Sequence, residues 1–134
     1  MTRVLTLIVL TVTIGIAGIT YGALESAGVI EVETWSSIES NTRLTHTWFV
    51  QSSDSILLEA GHPENPWVKD LFTNETIKIR GYGLDGEFRF KVIDDQAAHH
   101  GIRNRMREKY GWRGIWISCI FNVEDSLMVE VFPL

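Results

Sequence analysis

From Val4 to Leu24 the chain carries no charged side chain, and Val, Leu and Ile dominate the stretch VLTLIVLTVTIGIAGITYGAL. These 21 residues span about 30 Å as a helix at ~1.5 Å per residue, enough to cross the hydrocarbon core of a bilayer. The competing reading is a cleaved signal peptide, whose apolar core is shorter, about 7–15 residues, and ends at a small-x-small site. Gly15-Ile16-Ala17 is such a site, but it falls inside the apolar run. A retained single-pass anchor is the expectation for residues 1–27, with lipid as its partner. Arg3 precedes the segment, whereas Glu25, Glu31 and Glu33 follow it. Positive charge stays on the cytoplasmic side, so the remainder of the chain is expected on the exported, periplasmic or extracellular, side.

That remainder, residues 28–134, is long enough for one domain with a modest core. It opens on alternating apolar and polar residues, VIEVETW, and alternates again from Arg43 to Gln51. One face of the second stretch would carry Leu44, His46, Trp48 and Val50, the other Thr45, Thr47 and Phe49. SSIESN between them and SSDS after them read as turns, and Ile56–Ala60 as a third strand. Asn65-Pro66 marks a helix start, because Asn caps and Pro suits the first helical position. TIKIR and EFRFKVI read as strands, with Asp85-Gly86 in the intervening GYGLDG as the hairpin signal. Asp94 or Asp95 caps a helix whose stripe is Ala98, Ile102, Met106 and Tyr110. After Gly111, WRGIWISCIF is a second helical piece or a buried strand, and SLMVEVFPL closes the chain as a strand. Six strands with two helical insertions predict a mainly β domain with flanking helices, curled to remove its edges.

Several chemistries are excluded. The formal charge of −5 argues against a general nucleic-acid binder. No metal-ligand spacing occurs, since His99 and His100 are adjacent and point apart on a helix. A nucleophile elbow and a phosphate loop are absent. Cys119 is the single cysteine and is expected in the core among Ile115, Trp116, Ile117, Ile120 and Phe121. No catalytic residue declares itself. Two features stand out. Pro63 and Pro66 stiffen the loop Gly61–Trp67, which could offer the N–H groups of Gly61, His62 and Asn65 to a planar ligand. Five of the twelve Lys and Arg residues fall between Arg103 and Arg113, where they could meet a phosphate or anionic lipid heads.

The segment AGHPENPWVKDLFTNETIKIR, followed later by MREKYGW, resembles the deazaflavin-dependent nitroreductase/quinone reductase family. The matching pieces are Trp67-Val68-Lys69-Asp70-Leu71, Ile77-Lys78-Ile79-Arg80 and Arg107-Glu108-Lys109-Tyr110. The resemblance covers about residues 41 to 121 and extends to Arg43 and Thr45 of an R-x-T strand. It implies a split β-barrel that binds the deazaflavin coenzyme or FMN and reduces a quinone, a nitro compound or another small apolar substrate. A homodimer is compatible with it. The ring contacts carry over to Gly61, His62, Asn65 and Trp67. The phosphate would meet a basic wall of Arg43 with Lys69, Arg80 or Lys109, beside Tyr110. As a strand-start residue, Arg43 is expected outside the core, so that its loss would weaken cofactor binding without unfolding the protein. Where family members carry a G-R-x-S-G turn, this chain has Ser37-Ile38-Glu39-Ser40-Asn41, and Glu39 would repel a phosphate. The alternative is a non-catalytic split barrel that binds an apolar ligand or a partner protein at the membrane. A third reading is a haem-binding split barrel with His46 or His62 as axial ligand.

Overall fold

The computed structural model describes residues 2–26 and 28–134, apart from the side chains of Thr2 and Val123. The expected boundary between anchor and domain falls at Ala27, outside the described residues. Helix α1 (Thr2–Glu25) is followed by strands β1 (Ile30–Ser36), β2 (Asn41–Thr47), β3 (Phe49–Gln51) and β4 (Ile56–Gly61). Helix α2 (Pro66–Leu71), strands β5 (Thr76–Gly81) and β6 (Leu84–Ile93), helices α3 (Gln96–Tyr110) and α4 (Trp112–Ile120) and strand β7 (Leu127–Pro133) complete the chain. Helix α1 is long and apolar enough to cross a membrane.

The strands form one antiparallel sheet in the order β2-β1-β5-β6-β7-β4-β3. Its two edge strands are separated in sequence by Trp48 alone. The edges are therefore two halves of one strand, and the sheet curls until they meet. At the seam the Glu59 N–H donates to the Trp48 carbonyl (3.2 Å), and the Thr47 hydroxyl donates to the Glu59 carbonyl. Counted this way the expected six strands are present, and the two ends of the sheet are joined at Thr47 and Trp48.

The alternation expected along these strands sorts the apolar side chains into two layers. Phe49, Ile56, Leu58, Ile77, Ile79, Phe88, Val129 and Val131 fill the barrel, with Trp67, Val68 and Leu71 of α2. Trp48, Val50, Leu57 and Met128 point the other way, against Ile102, Met106, Tyr110 and Ile117 of α3 and α4. Strand β4 is buried on both faces, which is why it reads as the unbroken run Ile56-Leu57-Leu58. Asp95 caps α3 by accepting from the Ala97 N–H (2.9 Å).

Two expectations are corrected. The β5–β6 turn does not lie at Asp85-Gly86. These residues sit in strand β6 opposite Arg80 and Ile79, and Gly81 pairs with Leu84. The turn is Tyr82-Gly83, with φ of 54° and 80°, the left-handed pair a two-residue hairpin needs. This register sets Ile77 opposite Phe88, and both are buried. Cys119 is exposed. WRGIWISCI folds as helix α4, and its inward positions are Gly114 and Ile117.

Candidate functional site

A cavity of about 600 Å³ opens where the barrel seam meets α1 and α4. Strand β2 supplies Arg43 to Thr47, followed by Trp48 at the seam, and the end of β4 supplies Glu59, Ala60 and Gly61. His62, Asn65, Pro66 and Trp67 come from the stiff loop and the first turn of α2. Leu24 and Glu25 of α1, Val29, and Ile117 and Phe121 at α4 close the remaining side. The volume lies in the range of small-molecule sites, which are mostly apolar with a few placed polar groups.

The loop is held by its own bonds. Gly61 has φ +71°, and a Cβ there would sit 2.8 Å from the Asn65 side-chain nitrogen. Glycine is required both by that conformation and by the close approach. The Asn65 N–H donates to the His62 carbonyl (2.9 Å), and the Glu64 N–H donates to His62 Nδ1 (3.1 Å). These bonds add to the constraint of the two prolines, but one of the three expected free donors, the Asn65 N–H, is spent within the loop.

The charged groups on the wall each have a partner. Arg43 Nε donates to Asp70 Oδ2 at 2.9 Å, and Arg43 Nη2 lies 3.1 Å from Glu39 Oε1. Asp70 is buried and also accepts from the Thr34 hydroxyl (3.0 Å). The bond to Asp70, then that to Glu39, raises the Arg43 pKa above its ordinary value. Arg43 lies outside the buried core, as expected, but two of its guanidinium nitrogens are spent on carboxylates; Nη1 carries none of these contacts. His46 Nδ1 meets Glu25 Oε2 at 3.1 Å. Glu59 pairs with the buried Arg103, and burial pushes its carboxyl pKa up against the opposing pull of that arginine.

Of the sequence-derived site residues, Arg43, Thr45, Gly61, His62, Asn65 and Trp67 line this one cavity. The other four lie elsewhere. Lys69 pairs with Glu64 at 2.6 Å, and Arg80 pairs with Glu31 and Glu33 at 3.1 Å each. Lys109 Nζ donates to the Phe49 carbonyl (2.7 Å) and sits 3.1 Å from the centre of the Phe49 ring. Tyr110 stacks on Trp48 and bonds the Phe49 backbone. The structure adds Glu25, Thr47, Trp48, Glu59, Ile117 and Phe121. Alternation from Arg43 to Gln51 placed Trp48 on one face of a strand but did not mark it for the site, since residues of both faces line the cavity. No signal existed for Ile117 and Phe121, which reach the cavity through the docking of α4.

No family model matches the sequence, and no curated protein does. Solved structures do match. A protein assigned as a pyridoxamine 5′-phosphate oxidase from Listeria innocua aligns with TM-score 0.57 and 12% identity, over 84% of this chain and 89% of its own. An F420 reductase aligns with TM-score 0.56 and 11% identity, over 84% and 91%. A protein assigned to 5-nitroimidazole antibiotic resistance from Bacteroides thetaiotaomicron aligns with TM-score 0.58 and 16% identity, over 81% and 76%. The chain is a split-barrel protein preceded by an apolar helix.

Proposed function

We propose that this chain is a membrane-anchored oxidoreductase of the flavin type. Its barrel cavity would hold the ring of the deazaflavin coenzyme or FMN and pass reducing equivalents to a quinone or nitro compound. The observation that carries the reading is the cavity itself, placed at the seam of a fold shared with proteins assigned as an F420 reductase and a pyridoxamine 5′-phosphate oxidase. Its size suits a planar ring, Trp48 and Trp67 give it aromatic walls, and the loop Gly61–Trp67 keeps its shape at little entropic cost. Arg43 Nη1 is the donor available for an anionic arm. The bound ring would supply hydride chemistry, and the chain would orient it and exclude water. Helix α1 would anchor the domain from the exported side and hold the cavity beside membrane-dissolved substrates.

The second reading is a non-catalytic barrel that binds an apolar ligand. It is favoured by the pairing of Arg43, Glu25 and Glu59 with other side chains, which leaves a cavity suited to an uncharged guest. Titrating the detergent-solubilised full chain with FMN and with the deazaflavin coenzyme, followed by tryptophan fluorescence, separates the two. Saturable binding of either below millimolar concentration supports the oxidoreductase. No such binding favours the non-catalytic barrel, and a Soret band in the purified protein would move the assignment to haem.

A further inference from the structure

Helix α4 shows solvent an apolar face. Trp112, Ile115, Cys119 and Ile120 are exposed at 56%, 51%, as a free thiol, and 42%, with Trp116 half-buried between them. The spacing i, i+3, i+4, i+7, i+8 puts all five on one side of the helix. Phe121, just beyond the helix, is 50% exposed. The helix cannot turn this face inward. A Cβ on Gly114 would lie 2.7 Å from the Arg107 Cα, so α4 is seated backbone-close on α3, and Ile117 is already buried on that inner side.

What covers this face follows from where α4 touches α1. Trp116 Nε1 donates to the Thr20 hydroxyl at 3.1 Å, and Arg113 Nε donates to the Ser26 hydroxyl at 3.2 Å. Thr20 lies five residues before the end of α1 at Glu25, which is ~7.5 Å along the helix at ~1.5 Å per residue. Helix α4 therefore starts level with the end of the apolar segment and lies against its body one turn later. An interfacial helix sinks its apolar face about 5–10 Å into the headgroup–acyl boundary, and tryptophan prefers that depth. Arg113, tied to Ser26 and placed 5.0 Å from the Trp112 ring, sits where headgroup phosphates would meet it.

The geometry points to α4 as a second membrane contact, lying in the interface of the same leaflet that α1 enters, with lipid as the occupant of its apolar face. This rests on the reading of α1 as a membrane span. Ile117 and Phe121 line the cavity from α4, and Leu24 lines it from α1. The immersed helix thus sets one wall of the cavity at the bilayer surface, where an apolar ligand dissolved in lipid would reach it.

Cys119 is the sole cysteine of the chain, and it lies on the face in question. The full-length protein is labelled there with an environment-sensitive fluorophore and reconstituted in phosphatidylcholine–phosphatidylglycerol vesicles. Lipids that carry a spin label at a shallow or a deep acyl position serve as quenchers. A second protein, Cys119→Ser with Thr13→Cys, carries the label in the middle of α1. The expected result is a blue-shifted Cys119 label quenched more by the shallow lipid, and a Thr13→Cys label quenched more by the deep one. If the label in α1 is quenched and that at Cys119 stays water-exposed, the α4 inference is overturned while the anchor stands. If neither is quenched by lipid, both readings fall. A Cys119 label shielded from lipid and from aqueous iodide, together with ready oxidative dimerisation of the unlabelled chain, would assign the face to a second copy and equally overturn the inference.

Discussion

Replacing Tyr110 with Phe should loosen the joint between helix α3 and the barrel seam. The Tyr110 oxygen lies 3.0 Å from the Phe49 nitrogen, 3.0 Å from the Phe49 carbonyl oxygen and 3.2 Å from the Gly28 carbonyl oxygen. It accepts from the N–H and donates to one carbonyl. Tyr110 and Phe49 are both buried, so water does not easily replace the hydroxyl. The Phe49 carbonyl keeps its bond from Lys109, and the Phe ring keeps the stack on Trp48, whose centroid is 4.3 Å away. What is lost is the partner of the Phe49 N–H, and an orphaned buried donor costs ~1–3 kcal/mol. For a domain of this size that lowers the Tm by about 5–15 °C. Tryptophan-fluorescence melts of the full chain in detergent measure it, and a shift under about 2 °C would refute the claim that this hydroxyl is a structural joint. The pH dependence gives a second check. Burial pushes the Tyr110 pKa from 10.0 up to about 12, with the Phe49 hydrogen bond pulling the other way. The folded value lies above the unfolded one, so the hydroxyl's contribution is complete below pH 10.0 and is lost as pH rises to about 12. The gap between the wild-type protein and Tyr110→Phe should close over that window.

Two glycines should respond in opposite directions. Gly101 lies in α3 with nothing within 4 Å of an added Cβ, so Gly101→Ala should stabilise by about 0.5–1 kcal/mol through helix propensity. Gly114→Ala drives its Cβ into the Arg107 backbone and should destabilise by about 1–3 kcal/mol; equal melts for the two variants would contradict the tight α3–α4 seat. Arg103→Ala leaves the mostly buried Glu59 carboxylate without its ion-pair partner and should cost ~3–5 kcal/mol. In a denaturation-based double-mutant cycle, adding Glu59→Ala should recover part of that loss; strict additivity would deny the coupling.

Local sequence determined the elements whose causes are local. An uncharged run of 21 residues yields α1, Asp95 caps α3, and Pro66 starts α2. Alternation assigned Phe49 to one face and Trp48 and Val50 to the other, and these became the barrel interior and the helix-covered layer. Such signals act through neighbours within about one helical turn or one strand pleat, so they can be read without knowing the fold. The hairpin was misplaced because GYGLDG holds two turn-competent pairs, and the burial of Ile77 opposite Phe88 accompanies the one adopted. Cys119 looked like core because its neighbours are apolar. Which face of α4 is buried depends instead on Gly114 meeting Arg107. The bond from Arg43 to Asp70 was not legible because Asp70 lies 27 positions away and is brought to it only when α2 packs on the barrel. The cavity has the same origin. Six of the residues read from sequence line it, but Leu24, Ile117 and Phe121 reach it only through the docking of α1 and α4. Contacts between distant segments form only after the chain has offset the entropy of closing the loops between them, and which of them form is a property of the whole barrel.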